Sequence, residues 1–388
     1  MAPLEAYNQR MVRASLRPGS VSLLGVLAAC TTLPRAPDEQ PPSIPASSPK
    51  TERGRGERIF QVELHFGPVL TSLAAGDGAR LYFTESHGGP RRDELWTVPK
   101  RGGTAVRLFG EVDFQSAPVV DGGFAYYLGE AGAVRRARLD DGAIITLAAP
   151  SEMDAAVPNR APRDPHYDPR RHQRSPSELL PPAVVIDHEF VYWFDGPTES
   201  LMRVAKTGGA PVALARGLAG PPRHLTLDGA YLYFESRGSL VRVAKASPGP
   251  TETLPARLDD ASAFDVTAGN VVWLQSGRWF SLSAAGAPVP FDLAKMPSSA
   301  EKLLVRGDVV FYVVHRPVEY QQDYTRTDLV GSLSLRTRAV RVLSTGQVEV
   351  DGLIADDQAV YFLELGVEKS VKDELHRIRC CSIWRAER

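Results

Sequence analysis

Cysteine is scarce: Cys30, Cys380 and Cys381 are the only three in 388 residues, and no C-x-x-C pair exists, which excludes zinc knuckles and thioredoxin-type redox motifs. Basic excess is missing too. Lys and Arg number 45 against 46 Asp and Glu, a net charge of -1, so the cationic surface that phosphate backbones require is absent and nucleic acid is excluded as a partner. No G-x-S-x-G, H-E-x-x-H or phosphate-cradling glycine motif occurs, so no motif-borne hydrolase or nucleotide chemistry is written into the chain. Apolar runs are short: the one from Val21 to Ala29 falls well below the ~20 residues of a membrane-spanning helix. What abounds is Gly, 33 residues, and Pro, 31 residues, scattered among short apolar segments, a composition for many strands joined by tight turns. The length fits two average domains or one large closed all-β unit.

The N-terminal stretch carries an address. From Met11, MVRASLRPGSVSLLGVLAAC places Arg13 and Arg17 before the apolar run and a small-residue step before Cys30, the order of a signal peptide's n-region, h-region and processing site. Leu27-Ala28-Ala29-Cys30 resembles the lipobox of bacterial lipoproteins. That resemblance implies removal of residues 1–29, diacylation of Cys30 and anchoring to a membrane through the N-terminal lipid, with Thr31 implying the outer membrane. Glu5 suits an n-region poorly, which makes Met11 an alternative start. Residues 30–56 then read as the lipidated cysteine and a disordered tether, with six prolines between Thr31 and Lys50. The 27 residues after Cys30 would span roughly 30 Å as a coil and about 80 Å fully extended.

The rest of the chain repeats. Asp-x-x-x-apolar-aromatic-aromatic recurs as DGARLYF from Asp77, DGGFAYY from Asp121, DHEFVYW from Asp187, DGAYLYF from Asp228 and DDQAVYF from Asp356, with degenerate copies TAGNVVW from Thr267 and RGDVVFY from Arg306. The sixth positions, Tyr82, Tyr126, Tyr192, Tyr233, Val272, Phe311 and Tyr361, are 44, 66, 41, 39, 39 and 50 residues apart. A base period near 40 is that of a four-stranded propeller blade. Each copy continues into a second alternating segment, from DELWTVPK in the first to ELHRIRC in the last, and most continue into a Gly-containing turn and an outer segment. Seven copies predict an all-β, single-domain, seven-bladed β-propeller over residues 57–388, with adjacent aromatics facing opposite blades. The segment Glu57 to Phe66 is expected to complete the last blade beside ELHRIRC, unless SIWRAER completes it unaided.

VYWFDGPTESLMRVAKTGGAPVALA, from Val191, resembles the repeat of bacterial secreted propellers of the YWTD-like type, in which a YW-[TS]-D strand precedes a G-x-[IL]-x-R-V-x-x-x-GG strand and turn. The resemblance implies architecture without an assigned activity. It departs from the pattern where the fifth and sixth copies lack the acid and where long insertions occur.

In such a blade the A-to-B and C-to-D turns share one face, and the B-to-C loops and D-to-A connections share the other. The long connections all belong to the second group. Between blades 2 and 3 a Pro/Arg-rich insertion near residues 150–182 carries Arg160, Arg163, Tyr167, Arg170, Arg171 and Arg174, along with His166 and His172, which lack the further ligands a metal needs; the sixth blade's loop carries Tyr320 and Tyr324. Arg and Tyr are residues of binding hot spots, so this face is expected to bind a protein or a cell-wall or glycan ligand; the plain alternative is a disordered insertion and tolerated loops. Glu301 and Asp351, at the starts of adjacent inner strands, are expected at the channel rim as hydrated polar residues or, alternatively, as a cation or acid/base site of a metal-dependent hydrolase or lactonase. The sequence thus predicts a non-catalytic binding or scaffold lipoprotein, with no cofactor, no metal ligands and no catalytic residue assigned. Cys380 and Cys381 fit either inert strand or turn cysteines or a vicinal disulfide.

Overall fold

The computed structural model describes residues 43–44, 50–52, 56–61, 69–75, 78–86, 93–112, 114, 116–129, 132–151, 184–218, 222–258, 261–275, 278–282, 289–291, 300–316, 327–347, 350–364 and 382–387. All lie in the unit Pro41–Arg388. Among them there is no helix, and the strands form seven antiparallel sheets.

Each sheet is one blade, built outward from strand A to strand D. Blade 1 holds Val69–Ala75, Arg80–Ser86, Asp93–Pro99 and Ala105–Val112; blade 2, Val119–Asp121, Phe124–Leu128, Val134–Arg138 and Ile144–Ala148; blade 3, Val184–Ile186, Phe190–Asp195, Ser200–Ala205 and Val212–Ala215. Blade 4 holds Arg223–Asp228, Tyr231–Ser236, Ser239–Ala244 and Glu252–Arg257; blade 5, Ala261–Thr267, Asn270–Gln275, Arg278–Leu282 and Val289–Phe291; blade 6, Ala300–Arg306, Val309–Arg316, Thr327–Ser334 and Val340–Gln347. In blade 7, Val350–Ala355, Ala359–Glu364 and Ser382–Glu387 are followed outward by Gly56–Gln61 from the start of the chain. Inner strands of neighbouring blades touch all the way round, blade 7 against blade 1 included, so the ring is closed: the protein is a seven-bladed β-propeller.

The aromatic pairs fill the wedges between blades. Tyr192 lies in the apolar cluster shared with Leu225, Leu232 and Phe234 of blade 4, while Trp193 turns to Tyr126 and Val134 of blade 2. The alternation holds around the ring, with Tyr82 facing blade 2, Phe83 facing blade 7, Tyr233 facing blade 5 and Phe362 facing blade 6. Seven clusters occupy seven wedges, and each fully buried aromatic or branched side chain contributes about 1.5–3 kcal/mol. Where the turn geometry demands left-handed backbone, glycine supplies it. Gly122-Gly123, with φ of 55° and 80°, joins strands A and B of blade 2 as tight hairpins prefer.

Two expectations need correction. The third strand of blade 7 is Ser382–Glu387, whose Tyr361↔Arg385 register matches Tyr192↔Arg203 and Tyr233↔Arg242. The reason is visible in the residues: SIWR repeats the S-L-x-R of SLMR and SLVR, which ELHRIRC lacks, and ELHRIRC lies outside the described residues. The N-terminal strand does complete the blade, but beside SIWRAE. Nor is the Pro-rich segment before it all tether. Ser43–Ile44 pairs with Val106 and Ala105 on the outer edge of blade 1, and Lys50–Glu52 pairs with Arg58, Glu57 and Gly56 on the outer edge of blade 7. Both outer edges offer unpaired backbone N–H and C=O groups, which an extended polar segment satisfies without needing an apolar face.

Candidate functional site

Most of the predicted site residues, Cys30, Arg160, Arg163, Tyr167, Arg170, Arg171, Arg174, Tyr320 and Tyr324, lie outside the described residues, as do Cys380 and Cys381. The strands they connect locate the face concerned. Strands B and C are joined by six residues in blade 1, ten in blade 6 and seventeen in blade 7, against four in blade 3 and two in each of blades 4 and 5. The three longest thus leave three consecutive blades, 6, 7 and 1. The 35 residues between Ala148 and Val184 join blades 2 and 3 at the same face.

At that face the inner strands are irregular. Glu301 sits where the pairing of blade 6 slips between Ala300 and Lys302, and Asp351 with Gly352 where blade 7 slips between Val350 and Leu353. Ser262 of blade 5 and Thr71 of blade 1 occupy matching slips, and His224, at φ 52°, lies in a wider one in blade 4. Bulges bend a strand and re-aim a side chain, and they recur beside functional sites. The predicted rim positions Glu301 and Asp351 therefore coincide with bulges in two adjacent blades. The geometry brings the backbones of Glu301 and Asp351 onto adjacent inner strands. The bulge of blade 7 is packed tightly: a Cβ on Gly352 would come within 2.9 Å of the Leu73 Cβ in blade 1.

Below the rim a buried carboxylate ties neighbouring inner strands together. Asp265, almost wholly buried on the inner strand of blade 5, accepts hydrogen bonds from the Val305 N–H of blade 6 at 2.7 Å, its neighbour Val266 N–H at 2.8 Å and the Thr226 hydroxyl of blade 4 at 3.3 Å. Burial pushes its carboxyl above the usual range despite these donors and the nearby Arg306 charge. Among the described residues no group of three or more His, Cys, Asp or Glu stands together in a way that could hold a metal ion.

An acid three residues after the anchor tyrosine, the place of the Asp in YW-[TS]-D, stands in YFTE, YWFD and YFLE. Glu85, Asp195 and Glu364 are buried at the loop-face ends of their B strands. Asp195 accepts from the Thr198 hydroxyl and Glu364 from the Trp384 indole N–H at 2.6 Å, so these two acids anchor a turn and a neighbouring strand.

The opposite face is given to clamping blades together. Asp187, in the A-to-B turn of blade 3, meets Lys245 of blade 4 at 3.0 Å; Asp356 of blade 7 meets Lys100 of blade 1 at 2.8 Å; Asp121 of blade 2 meets Lys206 of blade 3. Across the gaps between blades 2 and 3 and blades 3 and 4, Arg136 and Arg203 lie over Phe124 and Phe190 and donate to the carbonyls of Lys206 and Lys245. Burial disfavours ionised Asp187, yet the Tyr192 hydroxyl, the N–H groups of Phe190 and Glu189 and the Lys245 ammonium outweigh it and hold the carboxyl down to about 2. Burial is likewise outweighed at Asp356 by Lys100 and the N–H groups of Ala359 and Gln358, again to about 2.

No protein-family model and no curated protein matches the sequence. Solved structures do. Oligogalacturonate lyase from Vibrio parahaemolyticus is similar with a TM-score of 0.57 over 90% of this chain and 98% of its own, at 11% identity. YCF48 bound to D1 peptide gives 0.52 over 84% and 96% at 10% identity, and YCF48 from Cyanidioschyzon merolae gives 0.51 over 84% and 97% at 11%. At such identities the likeness is one of fold.

Proposed function

We propose that this chain is a lipid-anchored, extracytoplasmic propeller lipoprotein of the YWTD-like type, carried by Cys30 on the outer membrane, which binds a protein or a cell-wall or glycan ligand without catalysing a reaction. The observation that carries this proposal is the asymmetry of the two faces. One carries inter-blade clamps and turns of at most seven residues; the other collects the longest connections, ten and seventeen residues in blades 6 and 7 and 35 between blades 2 and 3. Loops on a rigid scaffold are where recognition residues concentrate. The similar YCF48 structure with D1 peptide bound is in keeping with a peptide or protein partner.

Deleting Ala155 to Glu178 tests the binding face. The expected result is an unchanged circular-dichroism spectrum and melting temperature with loss of envelope proteins from a pull-down; full retention of those partners sinks the proposal. Cys30→Ser is expected to move the protein from the membrane fraction to the soluble fraction.

A second function is favoured by the bulges at Ser262, Glu301 and Asp351: a metal-dependent hydrolase or lactonase at the channel mouth. A stoichiometric metal in the purified propeller, lost in Glu301→Gln and Asp351→Asn, would put the enzyme ahead of the binding module.

A further inference from the structure

The chain enters the propeller at an unexpected place. Ser43–Ile44 lies on the outer edge of blade 1, and Lys50–Glu52 lies on the outer edge of blade 7, outside the strand Gly56–Gln61 that completes that blade. Ser43–Ile44 and Lys50–Glu52 therefore strap the two blades between which the ring closes. The Lys100–Asp356 clamp and the Phe60–Phe83 ring contact, with centroids 5.0 Å apart, hold the same seam from within.

We propose that this strap makes the propeller's rim at blades 7 and 1 the surface that faces a lipid bilayer, with blade 4 turned away. The inference rests on acylation of Cys30. Only twelve residues, 31–42, then separate the lipid from the strap, in place of the 27 that the sequence alone suggested. Such a tether spans about 20 Å as a coil and about 40 Å in extended polyproline form. A compact unit of about 350 residues is roughly 50 Å across, so the path around its rim from the seam to the opposite blade is about 80 Å. Twice the tether's greatest reach separates blade 4 from the anchor point, so an inverted stance is excluded by chain length. The strap also sets the long connections of blades 6 and 7 on the bilayer side, so a partner reached by them is itself at the membrane.

The test uses full-length acylated protein in phospholipid vesicles, in a Cys380→Ser/Cys381→Ser background. A fluorophore is placed on Thr104→Cys or Ser247→Cys, exposed residues in the matching C-to-D turns of blades 1 and 4, and energy transfer to a headgroup acceptor is measured. Severalfold greater transfer from position 104 than from 247 is expected. The difference should fall away in Ile44→Pro/Thr51→Pro, which frees the strap and lengthens the tether while strand Gly56–Gln61 keeps the ring closed. Equal transfer from both positions in vesicle-bound protein with the strap intact overturns the proposal, as does a difference unaltered by the proline pair. Acylated protein that ignores vesicles, or Cys30→Ser protein that still binds them, overturns the lipid anchor itself, an outcome visible in sedimentation before any transfer is read.

Discussion

At the scale of single residues, the ring depends on positions where one atom or one proton matters. Gly352 has no room for a Cβ against Leu73, so Gly352→Ala must displace an inner strand, at a cost of about 1–3 kcal/mol readable as a lowered urea midpoint. Asp265→Ala would leave the Val305 N–H buried without an acceptor; the expected loss is again about 1–3 kcal/mol, with Asp265→Asn less affected because one oxygen remains. Asp187 and Asp356 make a pH prediction of definite sign. Their carboxyls are held near 2 in the fold against an ordinary 3.8, so the stability they add is complete above about pH 4 and drains away as pH falls toward 2. Unfolding of the wild type and of Asp187→Asn/Asp356→Asn, followed from pH 7 to pH 2, should show a gap that narrows on the acid side. A gap constant with pH would mean that these carboxylates are not the groups being protonated.

At the scale of strands and turns, the repeat's acid has a visible task that its sequence position alone did not reveal. It reaches across to the lysine that ends the next blade's third strand: Lys206 in SLMRVAK, Lys245 in SLVRVAK and, from blade 7, Lys100 in DELWTVPK. Asp and Lys are nearly 60 to more than 250 residues apart in sequence, and their pairing depends on which turns share a face, so periodicity revealed the residues but not the partnership. Where the lysine is missing, other donors serve. Asp228 takes the N–H groups of Ala268 and Gly269 in blade 5. A double-mutant cycle on Lys245→Met and Asp187→Asn should return a coupling energy of about 0.5–3 kcal/mol, because the pair is largely shielded from water. Completion of blade 7 rests on a similar logic. Tertiary register, not alternation, selects SIWRAE over ELHRIRC, and Phe60, buried in the seam cluster, fixes the N-terminal strand outside it. Phe60→Ala is expected to cost about 3–5 kcal/mol by thermal or urea unfolding.

At the scale of the whole molecule, the fold was legible because five near-copies state the same local rule, a turn acid, an apolar step and two rings, and two degenerate copies keep its spacing. The face carrying the long connections was legible for the same reason, since strand order fixes where loops emerge. The chemistry of that face was not, for insertions escape the period, and residues such as Arg160 or Tyr320 have no counterpart in other blades by which to place them. The bulges at Glu301 and Asp351 were half visible, as acidic residues where the matching slips of blades 5 and 1 carry Ser262 and Thr71; a slip of register leaves no mark in a single strand's sequence.

The last six described residues, Ser382–Glu387, are held between strand Ala359–Glu364 and the strand Gly56–Gln61 from the other end of the chain. Synthesis runs in one direction, so the ring is an open arc until its final strand has been made. A polypeptide cut short by even one strand presents two facing edges and a bare 7–1 seam instead of a finished blade. A ring left open there offers proteases an unpaired edge that the finished blade withholds.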